Sequence, residues 1–100
     1  MHIEISFANM DHSDAIAEHL EKEVNAAVGR FGDRITRIEA HVRDVNGVKG
    51  GPNDKQCMLE ARPAGMDPIA IEHDGDDLYA VISRAAGKLK RAVANRLERG

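Results

Sequence analysis

The sequence predicts an α+β fold in which a four-stranded mixed sheet carries both helices on one face. Four short segments alternate apolar and polar residues, whereas two longer segments repeat apolar residues at helical spacing. These segments follow one another in the order β-α-β-β-β-α. Each predicted strand has one apolar and one polar face, so both helices must cover the same apolar face and leave the other open.

The composition predicts one soluble domain spanning residues 1–100. The chain has 100 residues, of which 42% are apolar, enough for one packed core. Aromatic residues make up only 3%, so base stacking on an aromatic platform is not expected. One cysteine indicates a reducing compartment, and neither a signal peptide nor an apolar run of about 18 residues is visible. We therefore expect a cytoplasmic protein without a membrane partner.

The N-terminal third predicts a strand followed by a helix. Residues His2–Phe7 alternate cleanly between apolar and polar side chains, as in a half-buried strand. Ser13 is placed to act as the N-cap of a helix over Asp14–Phe31, and Gly32 stands where a C′ glycine belongs. The apolar residues at helical spacing are Ile16, Leu20, Val24, Ala27, Val28 and Phe31.

Three more strands are predicted before the last helix. Period-two alternation returns over Arg34–Val45, and again over Lys55–Arg62 and Ile69–His73. Between the first two of these, Asn46–Asp54 form a long, Gly-rich, polar loop that we expect to be mobile. The short connections favour antiparallel neighbours, whereas the initial strand–helix–strand unit favours a parallel pair.

The last helix is predicted to begin after Asp76 or Asp77, either of which can cap it, and to run to the C-terminus. Its charges are nearly all positive: residues 84–100 hold six basic residues and one acidic residue, a net charge of +5. Its apolar stripe consists of Leu78, Ile82, Ala85, Leu89, Val93 and Leu97.

Five residues of this helix fall within one sector of about 80°, on roughly the opposite side from the apolar stripe. They are called the basic ridge: Arg84, Lys88, Arg91, Asn95 and Arg99. Residues 1–33, in contrast, hold seven acidic and two basic residues, within a chain of net charge −3. A polyanion responds to the local field of a patch, so the ridge predicts a polyanion-binding surface. An ordinary solvated helix face is the alternative.

The open face of the predicted sheet is a weaker candidate surface. Arg37, Arg43 and Arg62 point outward there, but glutamates share the same face. This pattern fits either a solvated surface or an auxiliary phosphate-contacting surface. Lys49 and Lys55 flank the Gly-rich loop and could add contacts. The loop lacks the Gly-Lys-Ser/Thr ending of a nucleotide phosphate-binding loop.

No catalytic or metal site is predicted. The five histidines show no ligand spacing, so no metal is expected. Cys57 occupies an inward strand position with no base or orienting group evident, and it reads as a small buried hydrophobe. Asp76 and Asp77 are adjacent on the chain, and helix capping explains them. A small enzyme is therefore the least favoured class, and neither a cofactor nor a small-molecule substrate is expected.

The motifs resemble those of a known family. The stretch Asp77–Ile82 (Asp-Leu-Tyr-Ala-Val-Ile), followed by Lys88-Leu89 and Arg91, resembles the signature of the ribosome hibernation-promoting factor and ribosome-associated inhibitor family. The first helix, which opens near Ser13–Ile16 and closes at Phe31–Ile35, is similar as well. The resemblance covers essentially the whole chain, in the same order of elements.

This resemblance implies a fold like that of a double-stranded RNA-binding domain. It also implies binding over ribosomal RNA in the cleft of the small ribosomal subunit, where messenger and transfer RNA would sit, when growth stops or under stress. The family's basic positions match at Lys88 and Arg91, whereas Asn95 and Ser83 depart from its pattern. The chain resembles the short, single-domain type, and we expect a monomer. The expected RNA contacts are Arg84, Lys88, Lys90, Arg91, Arg96 and Arg99 of the last helix, with Arg37, Arg43 and Arg62 of the sheet.

Two other binding functions remain open. One is a general double-stranded RNA-binding module that acts away from ribosomes. The other is a module that binds a non-RNA partner through the open sheet face. Strong salt dependence favours either RNA function, because binding to phosphates releases counterions.

Overall fold

The computed structural model describes residues 1–45 and 54–99. Its elements follow the order β-α-β-β-β-α, so the predicted fold class is confirmed. Apart from Asp54, the predicted Gly-rich loop over Asn46–Asp54 lies outside the described residues. The elements are β1 (His2–Ala8), α1 (Asp14–Val28), β2 (Ile35–Asp44), β3 (Lys55–Pro63), β4 (Ile69–Gly75) and α2 (Leu78–Arg99).

The two predicted caps of α1 have different outcomes. Ser13 is the N-cap residue, as predicted, because its Oγ accepts a hydrogen bond from a first-turn N–H at 3.2 Å. The α-helix ends at Val28, and a 3₁₀ turn over Gly29–Phe31 continues it. Gly32 has a right-handed φ of −55°, so its predicted role as a left-handed C′ glycine is wrong. The chain tightens to i→i+3 hydrogen bonds here, and this ending needs no left-handed residue.

The sheet has the strand order β1-β2-β3-β4. Strand β1 pairs with β2 in parallel, and the other two pairs are antiparallel. One row of the register joins Ile5, Ala40, Leu59 and Ile71, all of which face the helices. Ala40 and Leu59 are buried, whereas the two isoleucines on the edge strands are half-buried. The core therefore centres over the two middle strands.

Both helices pack on this apolar face. Helix α2 packs against β3, β4 and α1, and residues of all these elements belong to one buried cluster. Burying one such large aliphatic side chain stabilises the fold by about 1.5–3 kcal/mol. The largest fully buried side chains include Leu20, Val24, Ile38, Leu59, Ile82, Leu89 and Val93.

Helix α2 begins at a side-chain cap. Asp77 Oδ1 accepts a hydrogen bond from the Tyr79 N–H at 3.3 Å, and the Asp77 carbonyl accepts one from the Val81 N–H at 2.9 Å. Of the two candidate caps, Asp77 fills the role. Neither described helix is both long and apolar enough to cross a membrane.

Gly75 sets how closely β4 approaches α2. A Cβ at this position would lie 2.7 Å from Val81 Cγ2, and Val81 is a buried, β-branched residue with little freedom to rotate. We expect Gly75→Ala to lower the free energy of unfolding by about 1–3 kcal/mol through overpacking, measured by urea denaturation. Gly29→Ala is the control, because its Cβ would meet nothing within 4 Å. An unchanged midpoint for Gly75→Ala would contradict this close approach.

Candidate nucleic-acid interface

Helix α2 presents an apolar face to the core and a charged face to solvent. Every residue of the predicted apolar stripe is buried, and Val81 and Ala86 join it. Arg84, Lys90 and Arg91 are exposed. The hydrophobic stripe therefore turns the basic ridge outward, as the sequence predicted.

Contacts on either side of α2 locate the basic ridge more closely. On one flank, Lys88 Nζ donates a hydrogen bond to the Glu72 carbonyl of β4 at 2.9 Å. On the other flank, His19 of α1 hydrogen-bonds through Nε2 to the Tyr79 carbonyl and the Ser83 Oγ, both at 3.2 Å. The basic ridge therefore runs along the flank of α2 that borders β4.

The cations of α2 have no acidic partners among the described residues. Glu98 is the one carboxylate of this helix, and its side chain pairs with Arg30 of the turn after α1. Within residues 1–45 and 54–98, Arg84, Lys88 and Arg91 form no salt bridge. Even the Lys88 contact is to a neutral carbonyl, which leaves its positive charge uncompensated. The charge of the ridge is therefore available to an external anion.

Two other cations predicted on this helix, Lys90 and Arg96, lie outside the ridge, and Arg99 is the last member of the ridge. Lys90 is about 100° around the helix axis from Arg91, on the side of α1. Arg96 is exposed, and its Nη1 donates a hydrogen bond to the Asp67 carbonyl in the β3–β4 turn at 3.2 Å. Arg99 ends α2, and its side chain lies outside what the structure describes. The described cations of α2 therefore lie on different sides of the helix.

Ion pairs neutralise much of the open sheet face. Arg37 pairs with Glu39, and its Nη2 lies 3.8 Å from a Glu4 oxygen. Arg62 pairs with Glu60 at 2.9 Å and with Glu39 at 3.4 Å. The hydrogen bond between Arg37 and Glu39 raises the pKa of the guanidinium and lowers the pKa of the carboxyl. Two of the three sheet arginines predicted to contact RNA are therefore already held by glutamates.

Arg43 differs from the other two sheet arginines. It is exposed and forms no ion pair with any described residue. It lines a groove of about 300 Å³ on the open face, together with residues from all four strands. The lining residues are Ser6, Ala8, His41, Val42, Arg43, Gln56, Met58 and Glu72. This groove lies on the sheet face that the helices leave open, away from the basic ridge.

Lys55 is neutralised as well. Its Nζ lies 2.8 Å from Asp54 Oδ2 and 3.1 Å from Asp44 Oδ2, and these hydrogen bonds raise its pKa. Asp54 is buried, so this ammonium stabilises a carboxylate inside the fold. Because two carboxylates already balance its charge, Lys55 is a weak candidate for the predicted additional phosphate contact. Lys49 lies outside the described residues.

Three of the four acidic residues of α1 lie on the flank away from α2, whereas Glu23, about 40° around the axis from His19, lies on the flank that faces α2. Asp14, Glu18 and Glu21 are exposed. By helical geometry they are about 100–160° around the α1 axis from His19, the residue that contacts α2. The acidic flank of α1, which carries these three carboxylates, and the basic ridge of α2 therefore face away from each other.

His19 has a structural role that the sequence did not indicate. His19 is half-buried, and its hydrogen bonds fasten α1 to α2. Its ring also lies edge-on to the Tyr79 ring, with 4.9 Å between the centroids. No local motif marks this contact, because its partners are 60 and 64 residues away along the chain.

The described residues offer no group of three or more histidine, cysteine, aspartate or glutamate side chains able to hold a metal. Cys57 is buried, and burial raises the pKa of its thiol to about 12. A thiol with that pKa is protonated at neutral pH and is a poor nucleophile.

Taken together, the fold and the unpaired cations define an α+β domain with a candidate polyanion-binding helix. A sequence model of the family described as sigma 54 modulation protein / S30EA ribosomal protein matches residues 3–100. The chain belongs to this family, which confirms the resemblance to the ribosome hibernation factors. Among curated proteins, none matches the chain.

Two solved structures have the same fold. A ribosomal subunit interface protein from Coxiella burnetii superposes with a TM-score of 0.79 at 20% sequence identity, covering 97% of this chain and 99% of that one. The N-terminal domain of Thermus thermophilus Protein Y gives a TM-score of 0.74 at 21% identity, covering 95% of this chain and 94% of that one. The likeness therefore extends over the whole domain.

Burial should make Cys57 unreactive in the folded protein. We expect a thiol-alkylating reagent at pH 8 to modify Cys57 only as fast as the chain unfolds, because the thiol is both inaccessible and protonated. Mass spectrometry across a urea series measures this, with a free cysteine-containing peptide as the control. Rapid modification without urea would contradict the buried position.

Proposed function

We propose that this protein binds the small ribosomal subunit through the basic ridge of α2 and occludes the sites of messenger and transfer RNA. Family membership supports action at the ribosome. The observation that carries the assignment to α2 is that Arg84, Lys88 and Arg91 are outward-facing and free of carboxylate partners among the described residues. The protein would act reversibly, in the cytoplasm, as a monomer, when growth stops or under stress.

The proposed interaction is electrostatic docking to a folded RNA surface. Each lysine or arginine that neutralises a phosphate releases a counterion, so about four to six contacts make the affinity fall steeply with salt. The fit to the shape of an RNA cleft, rather than the reading of bases, supplies selectivity. The acidic flank of α1 repels a second RNA surface and thereby disfavours indiscriminate binding. This action makes and breaks no covalent bond.

The contacts have unequal weight in this proposal. The basic ridge, which ends at Arg99, comes first, and Lys90 and Arg96 extend the positive field around α2. Arg43 is the sheet arginine with a free charge, but it belongs to the opposite layer of the domain. Arg37 and Arg62 are secondary contacts, because phosphate binding there must compete with their glutamates.

A matched pair of double variants tests this ranking. We expect Arg84→Gln with Arg91→Gln to weaken binding to purified small subunits at least about tenfold and to reduce the salt slope by about two contacts. Arg37→Gln with Arg62→Gln removes the same charge from ion-paired positions and should have a much smaller effect. The measurement is fluorescence anisotropy of labelled protein across a salt series, with thermal melts to verify folding. Equal losses in the two variants, or an unchanged affinity without Arg84 and Arg91, would count against the ridge.

Competition distinguishes ribosome binding from general RNA binding. We expect the protein to co-sediment with small subunits in sucrose gradients at low salt and to dissociate at high salt. Because the shape of the ribosomal cleft contributes to binding, a 16-base-pair RNA duplex in equal mass should not displace it. Complete displacement by the duplex would favour the general double-stranded RNA-binding module. Binding that persists at high salt would instead favour a non-RNA partner.

A further inference from the structure

Gly87 is unusual among the residues of α2. It lies in the helix interior, where glycine is destabilising relative to alanine because it loses more backbone entropy on folding. A Cβ at this position would meet no atom closer than Arg91 Nη1, at 3.9 Å. Internal packing therefore does not require a glycine here, in contrast to Gly75, where a Cβ would strike Val81.

The neighbours of Gly87 on the helix surface are three cations and a hydroxyl. Residues three and four positions away along a helix are surface neighbours, with about 5–6 Å between Cβ atoms. For Gly87 these neighbours are Ser83, Arg84, Lys90 and Arg91. The three cations are exposed and form no salt bridge with any described residue. The missing side chain thus leaves a shallow depression bordered by three cations, with Arg91 Nη1 3.9 Å from the position of the absent Cβ.

Ser83 completes the depression as a polar group. Its Oγ lies 3.2 Å from His19 Nε2. When that nitrogen carries a hydrogen, it donates the hydrogen bond and the Ser83 oxygen accepts it. The same nitrogen reaches the Tyr79 carbonyl, which fixes the imidazole between the two helices. The hydroxyl hydrogen of Ser83 then remains available to an anion placed over Gly87.

We propose that Gly87 is the floor of a phosphate cradle, in which one phosphate of the bound RNA approaches the α2 backbone between Arg84, Lys90 and Arg91. The absent Cβ lets a phosphate oxygen come close to the helix while the three cations surround it. This assignment also gives Lys90 a role, although it lies outside the basic ridge. It rests on the proposed function and adds to it a specific point of contact.

The decisive variant is Gly87→Ala, because it should stabilise the free protein and yet weaken its binding to the small subunit. The free protein should melt about 4 °C higher or more, since alanine is the better helix former and the Cβ enters open space. Binding to small subunits should nevertheless weaken about fivefold to tenfold, with a salt slope lower by about one contact. Gly87→Gln, which fills the depression further, should weaken binding more. Gly29→Ala is the matched control: its Cβ also meets open space, far from the cradle, and its affinity should equal that of the natural sequence.

The outcomes separate the cradle from the proposed function. If Arg84→Gln with Arg91→Gln weakens binding but Gly87→Ala and Gly87→Gln do not, the cradle is overturned and the ridge stands. If none of these variants changes the affinity, the ridge and the cradle both fail. If the protein does not bind small subunits at all, amide NMR shifts on titration with inorganic tripolyphosphate decide the matter. Perturbations centred on Gly87 that Gly87→Gln abolishes would support the cradle, and their absence would overturn it.

Discussion

The burial of the apolar stripe of α2 is the constraint on which the rest of the structure depends. Ile82, Leu89 and Val93 of α2 are fully buried where this helix packs against β3, β4 and α1. A rotation of α2 by one residue, about 100°, would expose part of this stripe and turn charged groups toward an apolar sheet. Burying an unpaired charge costs far more than exposing a leucine. The hydrophobic effect therefore fixes which side of the helix carries its cations to the surface.

The second determinant is which cations find carboxylates within the fold. On a strand, residues two apart share a face, so Arg37 meets Glu39 and Arg62 meets Glu60 without any long-range arrangement. Helix α2 has only Glu98, which pairs with Arg30. Three of the four acids of α1 lie on its far flank, and Glu23 forms no ion pair with any described residue of α2. A domain with a net charge of −3 thereby keeps an uncompensated positive surface. Net charge alone is a poor guide to its partners.

The structural neighbours show how little identity this architecture requires. The two solved structures share the fold at 20% and 21% identity, and cores accept many aliphatic combinations of similar volume. Positions such as Gly75 are more restricted, because the backbone of β4 passes too close to Val81 for any side chain. The placement of α2 is thus specified by a few close contacts in addition to the general hydrophobic pattern.

The sequence by itself determined the order of elements, the inward and outward faces of the strands, the cap at Ser13 and the outward direction of the basic ridge. These features follow from local periodicity, and a strand or helix expresses its periodicity wherever its apolar side is buried. The sequence did not predict the right-handed conformation of Gly32. Whether a helix ends in a 3₁₀ turn or in a left-handed residue depends on the direction that the following segment takes in the fold. Only the tertiary structure decided that His19 would join the helices, that Arg62 would also meet Glu39 and Lys55 would meet Asp44 on a neighbouring strand, and that Arg84 and Arg91 would stay free. Such pairings depend on distances between residues that are far apart in the chain or on facing elements, and periodicity does not encode these distances.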